Sequence, residues 1–133
     1  MAVYRIVLAN NHPPLREGLK RILKERSNLE VVGEAEDGPQ LLTLLSVSRL
    51  APHLVILDPS MPGFQGTEAI HKVKAISPDI KVLVLSMHKD EEYLSQAIFH
   101  GAEGYLIKET ADKELLPAIE MIMQGRFYVP PFP

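Results

Sequence analysis

A carboxylate, a hydroxyl and an ammonium stand at Asp58, Ser86 and Lys108, each directly behind a short apolar run: Leu54–Leu57, Lys81–Leu85 and Tyr105–Ile107. Two further runs end in polar residues. Val3 to Ala9 gives way to Asn10-Asn11, and the run that opens at Val31-Val32 gives way to Glu36-Asp37. Taken singly, Asn10, Asn11 and Asp58 read as ordinary turn residues, since Asn and Asp bond their own backbone in turns, and Ser86 and Lys108 are unremarkable. The joint pattern carries more. A lone nucleophilic carboxylate, held beside a hydroxyl and a lysine that can bind phosphoryl oxygens, is suited to forming an aspartyl-phosphate.

Convergence of these groups requires elements that bring the five runs side by side. Behind the first run, Leu15, Leu19, Ile22 and Leu23 follow the spacing of an amphipathic helix, with Arg16, Lys20, Lys24 and Glu25 on its wet side. Asp37-Gly38-Pro39 breaks the second run, and Leu41, Leu42, Leu44 and Leu45 predict a helix with a broad apolar face. A loop holding Pro59, Pro62, Gly63 and Gly66 follows the third, before a helix with Ala69, Ile70, Val73 and Ile76 inward. The fourth helix carries Tyr93, Leu94, Ala97 and Ile98 and is closed by Gly101, a residue suited to the left-handed cap. The fifth uses Leu115, Leu116, Ile119, Ile122 and Met123 and ends at Gly125; Pro117 within it predicts a late or kinked start.

Five strand–helix units with near-continuous apolar strands predict an α/β fold, a doubly wound parallel sheet with helices on both faces. In such sheets function collects at the carboxyl ends of the strands, near the switch point. Asp58, Ser86, Lys108 and Asn10-Asn11 all fall there.

The segments LVILDPSMPGFQG, VLVLSMHKDEEYL and GAEGYLIKE resemble the strand-end motifs of response-regulator receiver domains. The resemblance runs from about Val3 to Phe127 and is strongest to the NarL/FixJ (LuxR-type) subfamily. Members of that subfamily typically place two acidic residues and His-Pro after the first strand, where this chain has Asn10-Asn11-His12-Pro13. After the fifth strand they carry Leu-Lys and an acidic residue, matched here by Ile107-Lys108-Glu109. The resemblance implies a flavodoxin- or CheY-like (βα)5 fold with strand order 2-1-3-4-5. It implies that Asp58 accepts a phosphoryl group from a histidine kinase, that Ser86 bonds a phosphoryl oxygen, and that Lys108 pairs with Asp58 at rest. Tyr105 matches the aromatic that changes rotamer as Ser86 moves, and His88 a position that tunes dephosphorylation. For magnesium the implied ligands are Asp58, Asn11 and the backbone carbonyl of Ser60, with Asn10 contributing weakly or indirectly.

Asn10 and Asn11 depart from the acidic pair. Magnesium favours anionic oxygens, so the amides predict a weakened site. Two outcomes stay open: a phosphorylation-gated switch with low metal affinity, or a pseudo-receiver that works without phosphorylation. A third reading, a haloacid-dehalogenase-like phosphohydrolase, requires a carboxylate two residues beyond the nucleophile, where this chain has Ser60. There is no Walker-type phosphate loop and no G-x-G-x-x-G run, and the five histidines show no close metal-ligand spacing. These absences argue against an enzyme acting on a separate substrate.

Composition agrees with the small-domain reading. A length of 133 residues suits one domain, and 46% apolar with 23% charged residues is ordinary for a globular chain. A net charge of -3 leaves no electrostatic footprint for nucleic acid. Cysteine is absent, so disulfides and thiolate metal sites are excluded. No apolar run reaches membrane-spanning length, and a cytoplasmic location is expected. Residues 1–126 are read as the receiver. Residues 127–133, within RFYVPPFP, read as the start of a linker to a helix-turn-helix DNA-binding domain. The partners implied are a sensor histidine kinase, a second copy through one of the helices, and DNA only through that further domain.

Overall fold

The computed structural model describes residues 2–63, 67–87 and 91–129. Strands and helices alternate throughout: β1 (Tyr4–Ala9), α1 (Pro13–Leu23), β2 (Leu29–Ala35), α2 (Gly38–Leu45), β3 (Leu54–Leu57), α3 (Glu68–Ile76), β4 (Lys81–Ser86), α4 (Glu91–Phe99), β5 (Gly104–Ile107) and α5 (Ala111–Met123). All sheet pairings are parallel, and the order is β2-β1-β3-β4-β5. The doubly wound fold and its 2-1-3-4-5 order are as the sequence reading expected.

Strand alternation divides the core into two halves. Val7, Ala9, Val55, Leu57, Val82, Val84, Tyr105 and Ile107 face one side, where α2, α3 and α4 cover them. Ile6, Leu8, Leu54, Ile56, Leu83, Leu85 and Leu106 face the other, under α1 and α5. A strand buried on both faces has no polar positions to alternate with, hence the unbroken apolar runs. β2 is the exception: as an edge strand it keeps most of its residues half-buried, and Val31-Val32 lies in the middle of a longer span than the apolar pair shows. Its pairing with β1 shifts register between Ile6 and Val7.

α5 corrects one expectation. It begins at Ala111 and runs through Pro117 without a delayed start. The hydrogen bond that proline removes would have reached Lys113. Both residues lie on the exposed side of the helix, so water can serve the orphan carbonyl. Gly101 and Gly125 terminate α4 and α5 with φ of +107° and +81°, in the left-handed region where a side chain would be strained.

The amino-terminal pole of the sheet is pinned by His53. Its Nδ1 accepts the Arg5 backbone N–H at 2.9 Å, and its ring stacks on Tyr4 with centroids 4.9 Å apart. An acceptor nitrogen must be unprotonated, and the Arg5 guanidinium lies 3.4 Å from Nε2. Burial, and secondarily Arg5, hold the His53 pKa below its ordinary value. A folded-state pKa below the unfolded one contributes stability that is complete above pH ~6.5 and is lost as pH falls through the folded value. His53→Asn should therefore flatten the fall in unfolding free energy between about pH 7 and pH 5, measured by urea denaturation. An unchanged slope would remove His53 as its source.

Candidate functional site

Sheet order places the ends of β1, β3, β4 and β5 next to one another, and one polar side chain follows or closes each. Asp58 comes directly after β3. Its backbone N–H donates to the Ala9 carbonyl at 2.9 Å, which fixes it beside the end of β1. Its side chain is almost wholly enclosed, with 3% of the residue exposed. An ionised carboxylate so placed needs strong partners, since burial of an unpaired charge is costly.

Three donors supply them. Lys108 Nζ donates to Asp58 Oδ2 at 2.7 Å across the β3–β4–β5 segment of the sheet. Ser60 serves the other oxygen twice, with its backbone N–H 2.9 Å and its hydroxyl 2.7 Å from Oδ1. The Asp58–Lys108 pairing read from the sequence is thus present as a short ion pair. The Ser60 hydroxyl is an addition: the sequence pointed only to the carbonyl of this residue, because a serine inside a proline-rich turn carries no periodic signal.

Ser86 closes β4 in register with Ile107, the residue before Lys108, and is 7% exposed. Tyr105 is fully buried in the core half beneath α4, with its ring 6.1 Å from that of Tyr93 and tilted by 53°. Burial, then Tyr105 and the charge of Asp58, push the Tyr93 hydroxyl up to about 12. Tyr93 therefore lies within the electrostatic reach of the carboxylate. The sequence marked it only as an inward helix residue. His88 lies outside the described residues.

The loop after β1 is held by its own hydrogen bonds. Asn10 is 1% exposed, and its Oδ1 accepts the His12 N–H at 3.0 Å, a turn bond typical of asparagine. Arg16 Nη1 donates to the Asn10 carbonyl at 2.7 Å, while the rest of its guanidinium pairs with Glu34 and Glu36. Asn11 is exposed. Glu36 and Asp37, the polar pair after the second run, have structural work instead: Asp37 caps α2 through Gln40 N–H at 2.8 Å, and Glu36 anchors Arg16.

As a metal site this donor set is all oxygen but poor in charge. Among Asn10, Asn11, Asp58 and Ser60 only Asp58 is anionic, and both of its oxygens already accept hydrogen bonds. Among the described residues no three His, Cys, Asp or Glu side chains gather at one point. The oxygens suit a hard divalent ion; the charge suits it weakly.

Residues 6–120 match the response regulator receiver domain. The chain is 39% identical over 127 residues to the transcriptional regulatory protein DegU of Brevibacillus brevis, covering 96% of this chain and 53% of that protein. It is 39% identical over 126 residues to the oxygen regulatory protein NreC of Staphylococcus epidermidis, covering 94% and 57%. The chain thus spans just over half the length of these relatives. Among solved structures, the non-phosphorylated receiver domain of the Escherichia coli stress response regulator RcsB superposes with a TM-score of 0.90 at 28% identity, covering 97% of this chain and 99% of that one. The receiver domain of the response regulator NarL from Mycobacterium tuberculosis does so with a TM-score of 0.84 at 32% identity, covering 95% and 100%.

A double-mutant cycle measures the central pair. Lys108→Ala alone should destabilise, because it strands a buried carboxylate, and should cost little once Asp58→Ala is present. A favourable coupling of about 1–3 kcal/mol is expected from urea denaturation. Coupling near zero would mean that the ion pair does not hold the site.

Proposed function

The chain belongs to the response regulator receiver domain family, and from that premise we propose that Asp58 is its phosphoacceptor. The observation that carries this reading is the buried Asp58 carboxylate with Lys108 Nζ 2.7 Å from one oxygen, at the strand ends of the sheet. In the reaction, a carboxylate oxygen of Asp58 forms a bond to phosphorus as the phosphorus–nitrogen bond of a sensor kinase's phosphohistidine breaks. The imidazole leaves with the electron pair. Lys108 transfers its bond from the carboxylate to a phosphoryl oxygen, and Ser86 donates to another. Tyr105 then repacks behind Ser86 as the switch.

Magnesium would be held by Asp58, Asn11 and the Ser60 carbonyl, with Asn10 weak or indirect. When bound it would offset the negative charge of the phosphoryl oxygens. Two amides in place of two carboxylates lower the affinity of that set.

The domain is then a substrate and switch of the kinase, not an enzyme with a substrate of its own. Control of transcription, through a DNA-binding domain beyond residues 127–133, extends the same reading, as do a second copy docking through a helix and a cytoplasmic location. Among the described residues no helix is long and apolar enough to cross a membrane. The relatives, a transcriptional regulatory protein and an oxygen regulatory protein, support that output. One observation favours a different reading, a phosphate-independent interaction module: the asparagine pair at Asn10-Asn11.

Incubation with acetyl phosphate and magnesium should give an acid-stable, base-labile mass gain on the Asp58 peptide, absent from Asp58→Ala. Asn11→Asp should lower the magnesium needed for half-maximal labelling by about tenfold, equivalent to roughly 1.4 kcal/mol of ion binding. No gain at any magnesium concentration, together with wild-type output from Asp58→Ala in cells, would establish the interaction module instead.

A further inference from the structure

Beyond α5 the chain does not simply depart. Gly125 reverses it, and Phe127 to Val129 return to the sheet along the outer edge of β5. Tyr128 forms a parallel bridge with Gly104: its N–H donates to the Glu103 carbonyl at 3.0 Å, and its carbonyl accepts the Tyr105 N–H at 3.0 Å. The Tyr128 ring packs against the core half beneath α5. Its hydroxyl donates to Glu114 Oε1 at 2.9 Å. Burial, and then Glu114, push that hydroxyl up to about 12, so it remains a donor throughout the physiological range.

The other oxygen of Glu114 accepts the hydroxyl of Thr110. Thr110 ends the 3₁₀ turn Lys108–Thr110, whose first residue holds Asp58. Tyr128 is therefore tied to both ends of β5. Its backbone grips Glu103 and the buried Tyr105, and its side chain, through Glu114 and Thr110, grips the turn that carries Lys108. An exposed strand edge is a docking template for extended chain. Here the occupant is the chain's own exit segment.

We propose that the β5 edge is a releasable dock for the segment leaving the domain, with Tyr128 as its anchor and Glu114 as the link to Lys108. The release half of the proposal rests on the phosphoacceptor reading. When Lys108 moves from the Asp58 carboxylate to a phosphoryl oxygen, the Lys108–Thr110 turn moves with it. Thr110 then no longer orients Glu114 toward Tyr128, and the edge bonds of Tyr128 open. The state of Asp58 is thereby passed to whatever follows Val129 through a contact inside this domain.

The test is amide hydrogen exchange of Tyr105, followed by NMR on the whole chain, with the Val84 amide as a reference for global stability. Tyr128→Phe and Glu114→Ala, with no phosphoryl mimic, should each speed Tyr105 exchange about fivefold, the worth of one ordinary hydrogen bond, and leave Val84 unchanged. Saturating beryllofluoride and magnesium should have the same effect on the wild-type chain. Unchanged Tyr105 exchange in both variants would overturn the dock. Beryllofluoride that shifts the Ser86 and Lys108 resonances but not Tyr105 exchange would overturn the release while the phosphoacceptor reading stands. Beryllofluoride that shifts none of them would remove the phosphoacceptor reading and the release together, leaving the variants to decide the dock alone.

Discussion

A carboxylate buried at the end of β3 is the constraint around which the rest of this domain is arranged. Asp58 cannot be ionised there without compensation, and the compensation comes from two directions. Lys108, brought in from the end of β5, holds Oδ2, and the Ser60 turn holds Oδ1 with an N–H and a hydroxyl. Lys108 depends on the sheet order for its reach, whereas Ser60, two residues beyond Asp58, reaches the carboxylate locally. Strand order 2-1-3-4-5 leaves only β4 between β3 and β5, and Lys108 spans that gap with its long side chain. The apolar strands beneath supply the rigid floor, since the core on each face admits little movement of the strand ends.

The asparagines change the electrostatics of that arrangement more than its shape. In the loop after β1, Asn10 is bound into a turn by His12, and Arg16 clamps its carbonyl. The loop is therefore held by neutral hydrogen bonds and by one arginine anchored on Glu34 and Glu36. A site with one carboxylate balanced by one lysine is close to neutral at rest. It has less repulsion to relieve than a cluster of three carboxylates, and less attraction for a divalent cation. Both consequences follow from Coulomb's law in a partly desolvated pocket.

Much of this was legible in the sequence because burial on both faces of a parallel sheet writes itself as apolar runs. The residues that break those runs then mark the strand ends. Asp58, Ser86, Lys108 and Asn10 were found in that way, and the motif resemblance gave them an order. Residues whose importance comes from side-chain direction were not. Ser60 in its turn and Tyr128 at its isolated bridge have no periodicity to betray what their hydroxyls meet. Tyr93 looked like any inward residue of an amphipathic helix, and its packing against the Tyr105 ring depends on how α4 lies over β5. Pro117 misled for a related reason: its effect on α5 depends on which side of the helix loses the bond, and solvent lies on that side. Glu36-Asp37 matched the strand-end pattern but proved to cap α2 and to anchor Arg16, on a strand that β1 separates from β3 and Asp58.

The most direct measurement of the central claim is a crystal structure of the whole chain grown with saturating beryllofluoride and magnesium. The expected result is a beryllofluoride group bonded to an Asp58 carboxylate oxygen, with Lys108 Nζ and the Ser86 hydroxyl on its fluorines. A saturated crystal in which Asp58 carries no adduct and keeps its bonds to Lys108 and Ser60 would contradict it.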